Sequence, residues 1–292
     1  MTEFLLAAAL LATVVIAILW FWQISDHWAD QQLGAALMAT QQVEPDRFDP
    51  AMTADLPDLA RRYFQFAIRP GTPLYTVAEI EMNGRFSLGT KQAPNYMTMT
   101  ARQILAAPTG FIWSMAAKNG LMRLSGSDAA ADRESWTRFW LLGLLPVARM
   151  SGTDDHRRSA FGRYVAEAVF WTPAALLPSA ETVWEQVSDT TARVTVYHDG
   201  MEQSVDVTVD PEGRPLEVVF LRWSNANPDK RFRLQPFGGS LSEFREFDGF
   251  RLPTHIEAGN QFGTDHYFPF FIVDVTAISF PSKTEAIRRT RP

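Results

Sequence analysis

The chain has five histidines, His27, His156, His198, His255 and His266, and no cysteine. No two histidines share a His-x-x-x-His or similar spacing, so nothing in the sequence specifies a dedicated zinc site. There is no Gly-x-Ser-x-Gly elbow to expose a nucleophile and no phosphate-cradling glycine loop. His255 and His266 can meet across a hairpin, but an ordinary sheet surface explains them better. Catalytic residues, metal ligands and cofactors are therefore expected to be absent.

One constellation has the spacing to do something. Arg163, Tyr164, Glu167 and Trp171 fall within nine residues, and Arg163 and Glu167 are four apart, so on a helix they share a face. As a surface ion pair they are worth only ~0.3–0.5 kcal/mol. Facing a concave sheet, the same pair would instead guide a polar headgroup. A second candidate is the apolar run from Trp136 to Pro146, with Trp140 at its middle and bulky side chains on both faces. Core burial is one reading; a lipid-facing or cavity-lining wall is the other. The candidate ligand-lining residues are thus Trp140, Arg163, Tyr164, Glu167 and Trp171.

The elements that must position them follow from periodicity. Asp154-Asp155 opens a helix in which Ala160, Phe161, Tyr164, Val165, Ala168 and Val169 form an apolar stripe, and Trp171-Thr172-Pro173 ends it. A shorter helix with Pro57 near its first turn carries Leu59, Tyr63 and Phe66 on one side. Around these the dominant signal is antiparallel sheet. Asn83-Gly84, Asn119-Gly120, Asp199-Gly200, Asp248-Gly249 and Asp210-Pro211-Glu212-Gly213 read as turns, and so does Gly238-Gly239. Between them, β-prone runs lie at about 75–82, 96–106, 111–117, 192–196, 205–209, 215–223, 240–247, 250–257 and 270–280. The expected fold is α+β: a curved antiparallel sheet, or half-barrel, covered by a central helical segment.

Ahead of this domain, Phe4 to Trp22 form 19 residues without a charge. As a helix they cover roughly 28 Å, close to a bilayer's hydrocarbon thickness. Trp20, Phe21, Trp22 and Trp28 gather at the C-terminal end, where aromatic rings favour the headgroup region. A cleaved signal peptide would want a basic start and small residues after the core; Met1-Thr2-Glu3 and Trp-Phe-Trp supply neither. The first Lys or Arg is Arg47, so the large domain is expected on the non-cytoplasmic side. The expected division is an anchor over 1–25, a juxtamembrane connector over 26–54 that is partly helical near 28–38, a β-rich domain over 55–281, and a basic tail over 282–292. Of the net charge of −6, five negatives precede Arg47, leaving the domain near neutral and without the basic footprint of a nucleic-acid binder.

Three segments carry a resemblance. Leu56-Pro57 with Arg61-Arg62-Tyr63, Arg163 to Glu167 running into Trp171 to Pro178, and Phe244 to Thr254 resemble an uncharacterised bacterial family known only as a domain of unknown function. The element order is also similar to the lipoprotein-carrier fold of the bacterial envelope, a half-open barrel closed by helices over an apolar cavity. That resemblance implies binding of a lipid or another apolar ligand, here by a tethered protein that also meets the bilayer through residues 4–22. Two other classes stay open: an assembly module for a membrane partner, with a packed interior, and an enzyme on envelope lipid or glycan using Glu167 or Asp residues as acid and base.

Overall fold

A computed structural model of the chain describes residues 1–281. Helix α1 (Thr2–Ala39) opens the chain, a short 3-10 turn covers Pro50–Thr53, and helix α2 (Asp58–Ala67) follows. Six strands come next: β1 (Ala78–Ser87), β2 (Tyr96–Ala106), β3 (Gly110–Asn119), β4 (Met122–Ala131), β5 (Glu134–Leu141) and β6 (Leu145–Ser151). Helix α3 (Asp154–Trp171) and a 3-10 turn at Pro173–Leu176 lead into seven more. These are β7 (Thr182–Gln186), β8 (Thr191–His198), β9 (Met201–Val209), β10 (Pro215–Ser224), β11 (Arg233–Phe247), β12 (Phe250–Asn260) and β13 (Phe268–Ser279). The basic tail expected over 282–292 lies outside the described residues.

All 13 strands form one antiparallel sheet in the order β6-β5-β4-β3-β2-β1-β13-β12-β11-β10-β9-β8-β7. Two meanders are joined where β13 pairs with β1, and α3 connects one free edge, β6, to the other, β7. Helix α3 touches β2 to β5 from one meander and β9, β10 and β12 from the other, so the sheet wraps around it. The fold is α+β, with a central helix in the hollow of a curved antiparallel sheet.

Strand alternation sorts side chains to the two faces. Leu105, Phe111, Trp113 and Phe139 point inward and join the main core with α3; Ile104, Ile112, Ala129 and Trp136 point outward and pack against Leu37 and Met38 of α1. The α3 stripe expected from periodicity is wider than one face. Twelve of its 18 residues are buried, because sheet surrounds the helix on most sides.

Several expectations change. Asp199-Gly200 and Asp248-Gly249 form the expected tight turns, with positive φ at both residues. Asn83-Gly84 does not: it lies mid-strand in β1, paired on both sides. A Cβ on Gly84 would sit 2.1 Å from the Ile272 carbonyl oxygen, so this glycine serves close strand approach rather than a turn. Gly238-Gly239 is likewise inside β11, not a turn. Two-sided pairing outweighs the local turn preference in both places. The region 122–151, read only as one apolar run within it, is three strands. Helix α1 shows no break at residue 25: it continues to Ala39, and its last turns lie on the outer face of the sheet.

Candidate functional site

Helix α3 begins where Thr153 Oγ1 accepts a hydrogen bond from the His156 backbone N–H at 3.1 Å, with Asp154 and Asp155 in the positively polarised first turn. Gly162 lets it settle onto the sheet: a Cβ there would meet Gln203 Oε1 at 2.5 Å and Phe220 at 3.3 Å. The next residue, Arg163, and Glu167 one turn beyond it face inward, and they are not the solvated surface pair that spacing alone allows.

Arg163 donates from Nε to Glu167 Oε1 at 2.7 Å and from Nη1 to Asp128 Oδ2 at 2.5 Å. Gln103 Nε2 donates to Glu167 Oε2 at 2.6 Å, and Thr137 Oγ1 to Asp128 Oδ1 at 2.7 Å. The Arg163 guanidinium also lies over the Phe111 ring, 4.6 Å from its centroid. Burial disfavours the charge on Arg163, but Glu167 and Asp128 together outweigh it and hold its pKa above the usual arginine value. His156 closes the network, with Nε2 2.9 Å from Thr137 Oγ1 and Nδ1 2.8 Å from Ser135 Oγ. Burial pushes its pKa down, Asp128 opposes this, and Arg222 adds to it.

Beside this network is a cavity of about 250 Å3. Its wall is chiefly aromatic and aliphatic, including Phe86, Trp113, Phe139, Trp171, Phe220 and Phe237, with Asp128, Arg163, Glu167 and Arg222 as its charged members. A polar annex of about 190 Å3 adjoins it, bordered by His156, Ser159, Asn225 and Asn260. Asp128, Thr137, Arg222 and Phe270 line both spaces.

Arg222 differs from Arg163 in having no carboxylate in hydrogen-bond contact. Burial and the neighbouring Arg163 push its pKa down to about 10. Its Nε is closed off from solvent with no hydrogen-bond partner, and so are the Nε1 atoms of Trp113 and Trp171. Buried donors are nearly always satisfied. All three residues line the cavity wall.

Of the residues singled out by sequence, Arg163, Glu167 and Trp171 line the cavity. Tyr164 stands behind them, against Phe161 and Phe111 at ring separations of 5.4 and 5.8 Å. Trp140 lies on the opposite face of the sheet. Its Nε1 donates to Asp26 Oδ2 at 3.0 Å, and its ring meets Trp22 edge-on at 5.6 Å. One residue of strand register decides this, since Phe139 points inward and Trp140 outward. Sequence reading missed Asp128, Gln103, Trp113 and Arg222, each on a strand far from α3 in sequence.

The outer face has its own buried charge. Asp26, 8% exposed, accepts both guanidinium nitrogens of Arg149 at 2.6 and 2.9 Å, with Arg138 at 3.5 Å. Asp30 Oδ1 accepts from Ser127 Oγ at 2.8 Å. An open groove of about 1250 Å3 runs between α1 and the sheet, but these carboxylates are occupied in holding the helix down. His255 bonds Asp274 at 2.7 Å rather than meeting His266. Among the described residues no cluster of three His, Asp or Glu side chains is spaced to hold a metal ion.

Residues 46–272 match a family of unknown function, DUF6544. The chain belongs to that family. A comparison with curated proteins finds no match. Among solved structures, the LolA superfamily protein NE2245 from Nitrosomonas europaea is similar, with 11% identity and a TM-score of 0.39 over 78% of this chain and 95% of its own. A putative outer membrane lipoprotein-sorting protein domain from Vibrio parahaemolyticus gives 9% and 0.36, over 70% and 85%. The family match agrees with the resemblance to an uncharacterised bacterial family drawn from the sequence.

Proposed function

We propose that this DUF6544 protein is a non-catalytic, membrane-tethered binder of an amphiphile, with an apolar segment in the inner cavity and an oxygen-bearing head beside Arg222. The observation that carries this reading is a mainly apolar cavity whose wall includes Arg222, a guanidinium with no carboxylate in hydrogen-bond contact. A cavity of about 250 Å3 exceeds the roughly 150 Å3 that admits benzene and approaches the range of small-ligand pockets. A purely apolar ligand would leave the Arg222 guanidinium without an acceptor, whereas an ester, amide or carboxylate oxygen would supply one.

The tether is α1, the one helix among the described residues long and apolar enough to cross a membrane. The absence of Lys and Arg before Arg47 supports placing the domain outside the cytoplasm. Titration of the detergent-solubilised protein with a dansyl-labelled fatty acid tests the binding reading. Saturable fluorescence enhancement is expected, and Ala166→Phe, which fills the cavity from α3, should abolish it. No saturable enhancement, or equal enhancement in the filled variant, rejects the site.

An acid–base enzyme is the second reading, favoured by one observation: Asp128 and Glu167 converge on the same cavity wall. Both carboxylates are engaged by Arg163, as befits a fixed wall more than a proton-transfer pair. Glu167→Gln should therefore preserve fatty-acid binding and any cellular phenotype; loss of phenotype with binding intact favours the enzyme.

A further inference from the structure

The path of α1 over the sheet fixes which end of the half-barrel its apolar N-terminal part leaves. Gly34 lies against Ile104 and Ile112, Asp30 bonds Ser127, Asp26 bonds Trp140 and Arg149, and Trp22 meets Trp140. The helix thus climbs, from its C-terminus towards its N-terminus, to the end of the sheet where β3 turns into β4 and β5 into β6. There a Cβ on Gly143 would lie 3.4 Å from the Gln23 side chain. Residues 2–18 lie beyond that rim with no burial, and over about 25 Å of helix.

At this rim the turns carry what loops normally avoid. Leu121 is 93% exposed and Leu142 60%, and Met122, Leu145 and Val147 are exposed beside them. The β1–β2 turn at the same end adds Leu88, and Asn119 Nδ2 ties it to the β3–β4 turn through Asn95 Oδ1 at 3.3 Å. Residues 118–123 and 141–147 contain no acidic side chain. Lys118 and Arg123 are exposed and sit directly opposite each other across the hairpin, a like-charge pair that costs stability unless anions lie nearby. Exposed apolar tips flanked by basic residues, level with Trp20 to Trp22, match the layered chemistry of a bilayer interface.

We propose that this rim is a second membrane contact: the Leu121 and Leu142 turns enter the interface of the leaflet from which α1 emerges, with Lys118 and Arg123 at anionic headgroups. The inference rests on reading α1 as a membrane span. Its consequence is that the cavity's rim-side wall, with Phe86 and Phe270, is held next to lipid rather than swinging free on a tether.

Because the chain has no cysteine, single-cysteine variants label uniquely. Full-length protein carrying an NBD fluorophore at Trp20→Cys, Leu121→Cys, Leu142→Cys or Val187→Cys is reconstituted into phosphatidylethanolamine–phosphatidylglycerol vesicles containing doxyl-labelled acyl chains. Val187 is at the opposite end of the sheet and serves as the water-exposed reference. Quenching at 20, 121 and 142 but not at 187 is expected, and Lys118→Glu with Arg123→Glu should remove the 121 signal while sparing the one at 20. Quenching at 20 with probes at 121 and 142 as unquenched as that at 187 overturns rim docking while keeping the span, and is also the result if the rim binds another protein. An unquenched probe at 20 overturns the membrane reading itself.

Discussion

Among the described residues, Arg163 is the one cation that hydrogen-bonds both Asp128 and Glu167, and replacing it with methionine removes it. The side chain is about 15% exposed, as are its two partners, so little solvent is at hand to replace it. Truncating one member of a buried ion pair costs about 3–5 kcal/mol, because the remaining charge stays desolvated. Here two carboxylates are stranded rather than one. Thr137 and Gln103 continue to donate to them, and Arg222 is near, which keeps the expected loss within that range rather than doubling it. At about 2–4 °C per kcal/mol for a chain of this size, the melting temperature should fall by roughly 6–20 °C. Circular dichroism melts in a mild detergent measure this for wild type, Arg163→Met and the neutral triple variant Arg163→Met, Asp128→Asn, Glu167→Gln. The triple variant should melt above the single one, since a buried ionic cluster removed whole leaves no stranded charge. A single variant within about 1 kcal/mol of wild type, or a triple variant melting lower still, would refute the assignment of Arg163 as the buried centre of this network.

Two further outcomes follow from the same contacts. His156 is held below its ordinary pKa of 6.5 by burial, so the unfolded chain takes up a proton that the folded one resists. Its effect on stability is absent well above pH 6.5 and destabilises progressively as pH falls below it, with a slope of at most about 1.4 kcal/mol per pH unit. The wild-type minus His156→Gln difference in melting temperature should therefore shrink or reverse on acidification. A difference that grows as pH falls would mean the imidazole is charged in the fold. Asp26→Ala strands Arg149 and frees the middle of α1 from the sheet. Hydrogen exchange should accelerate at residues 26–38 while β10 to β12 keep their protection, and uniform acceleration would contradict a locally docked helix.

How much of this is legible in the sequence depends on the range of the interaction that decides each feature. The N-terminal apolar helix, α3 and the tight turns at Asp199-Gly200 and Asp248-Gly249 are decided by neighbours in sequence, and the structure shows an apolar helix, a helix and turns there. Asn83-Gly84 has the same local chemistry, but β2 and β13 flank it and their ladders hold it extended. The strands over 122–151 are faint because Ser125-Gly126-Ser127-Asp128-Ala129-Ala130-Ala131 has little β-propensity of its own; pairing with β3 and β5 supplies the extended conformation.

The site divides the same way. Arg163 and Glu167 announce themselves at helical spacing, and Trp171 follows on the same helix. Asp128, Trp113 and Arg222 come from β4, β3 and β10 and meet only through the curvature of the sheet, which no spacing records. Trp140 illustrates the converse. An aromatic in an apolar run looks like a cavity wall, yet its placement depends on a register that sets it against Asp26 of α1 instead. The segment 26–38, expected as a connector partly helical near 28–38, is the continuation of α1 and packs on the outer face of the sheet.

The most direct test of the ligand-binding account is native mass spectrometry of the protein extracted from cells in a mild detergent. Wild type should carry an additional mass whose fragments include an acyl chain and an oxygen-bearing head. Ala166→Phe should fly without it, and Arg222→Met should retain less. Repeatedly ligand-free wild-type spectra, or an adduct that persists unchanged when the cavity is filled, would contradict the account.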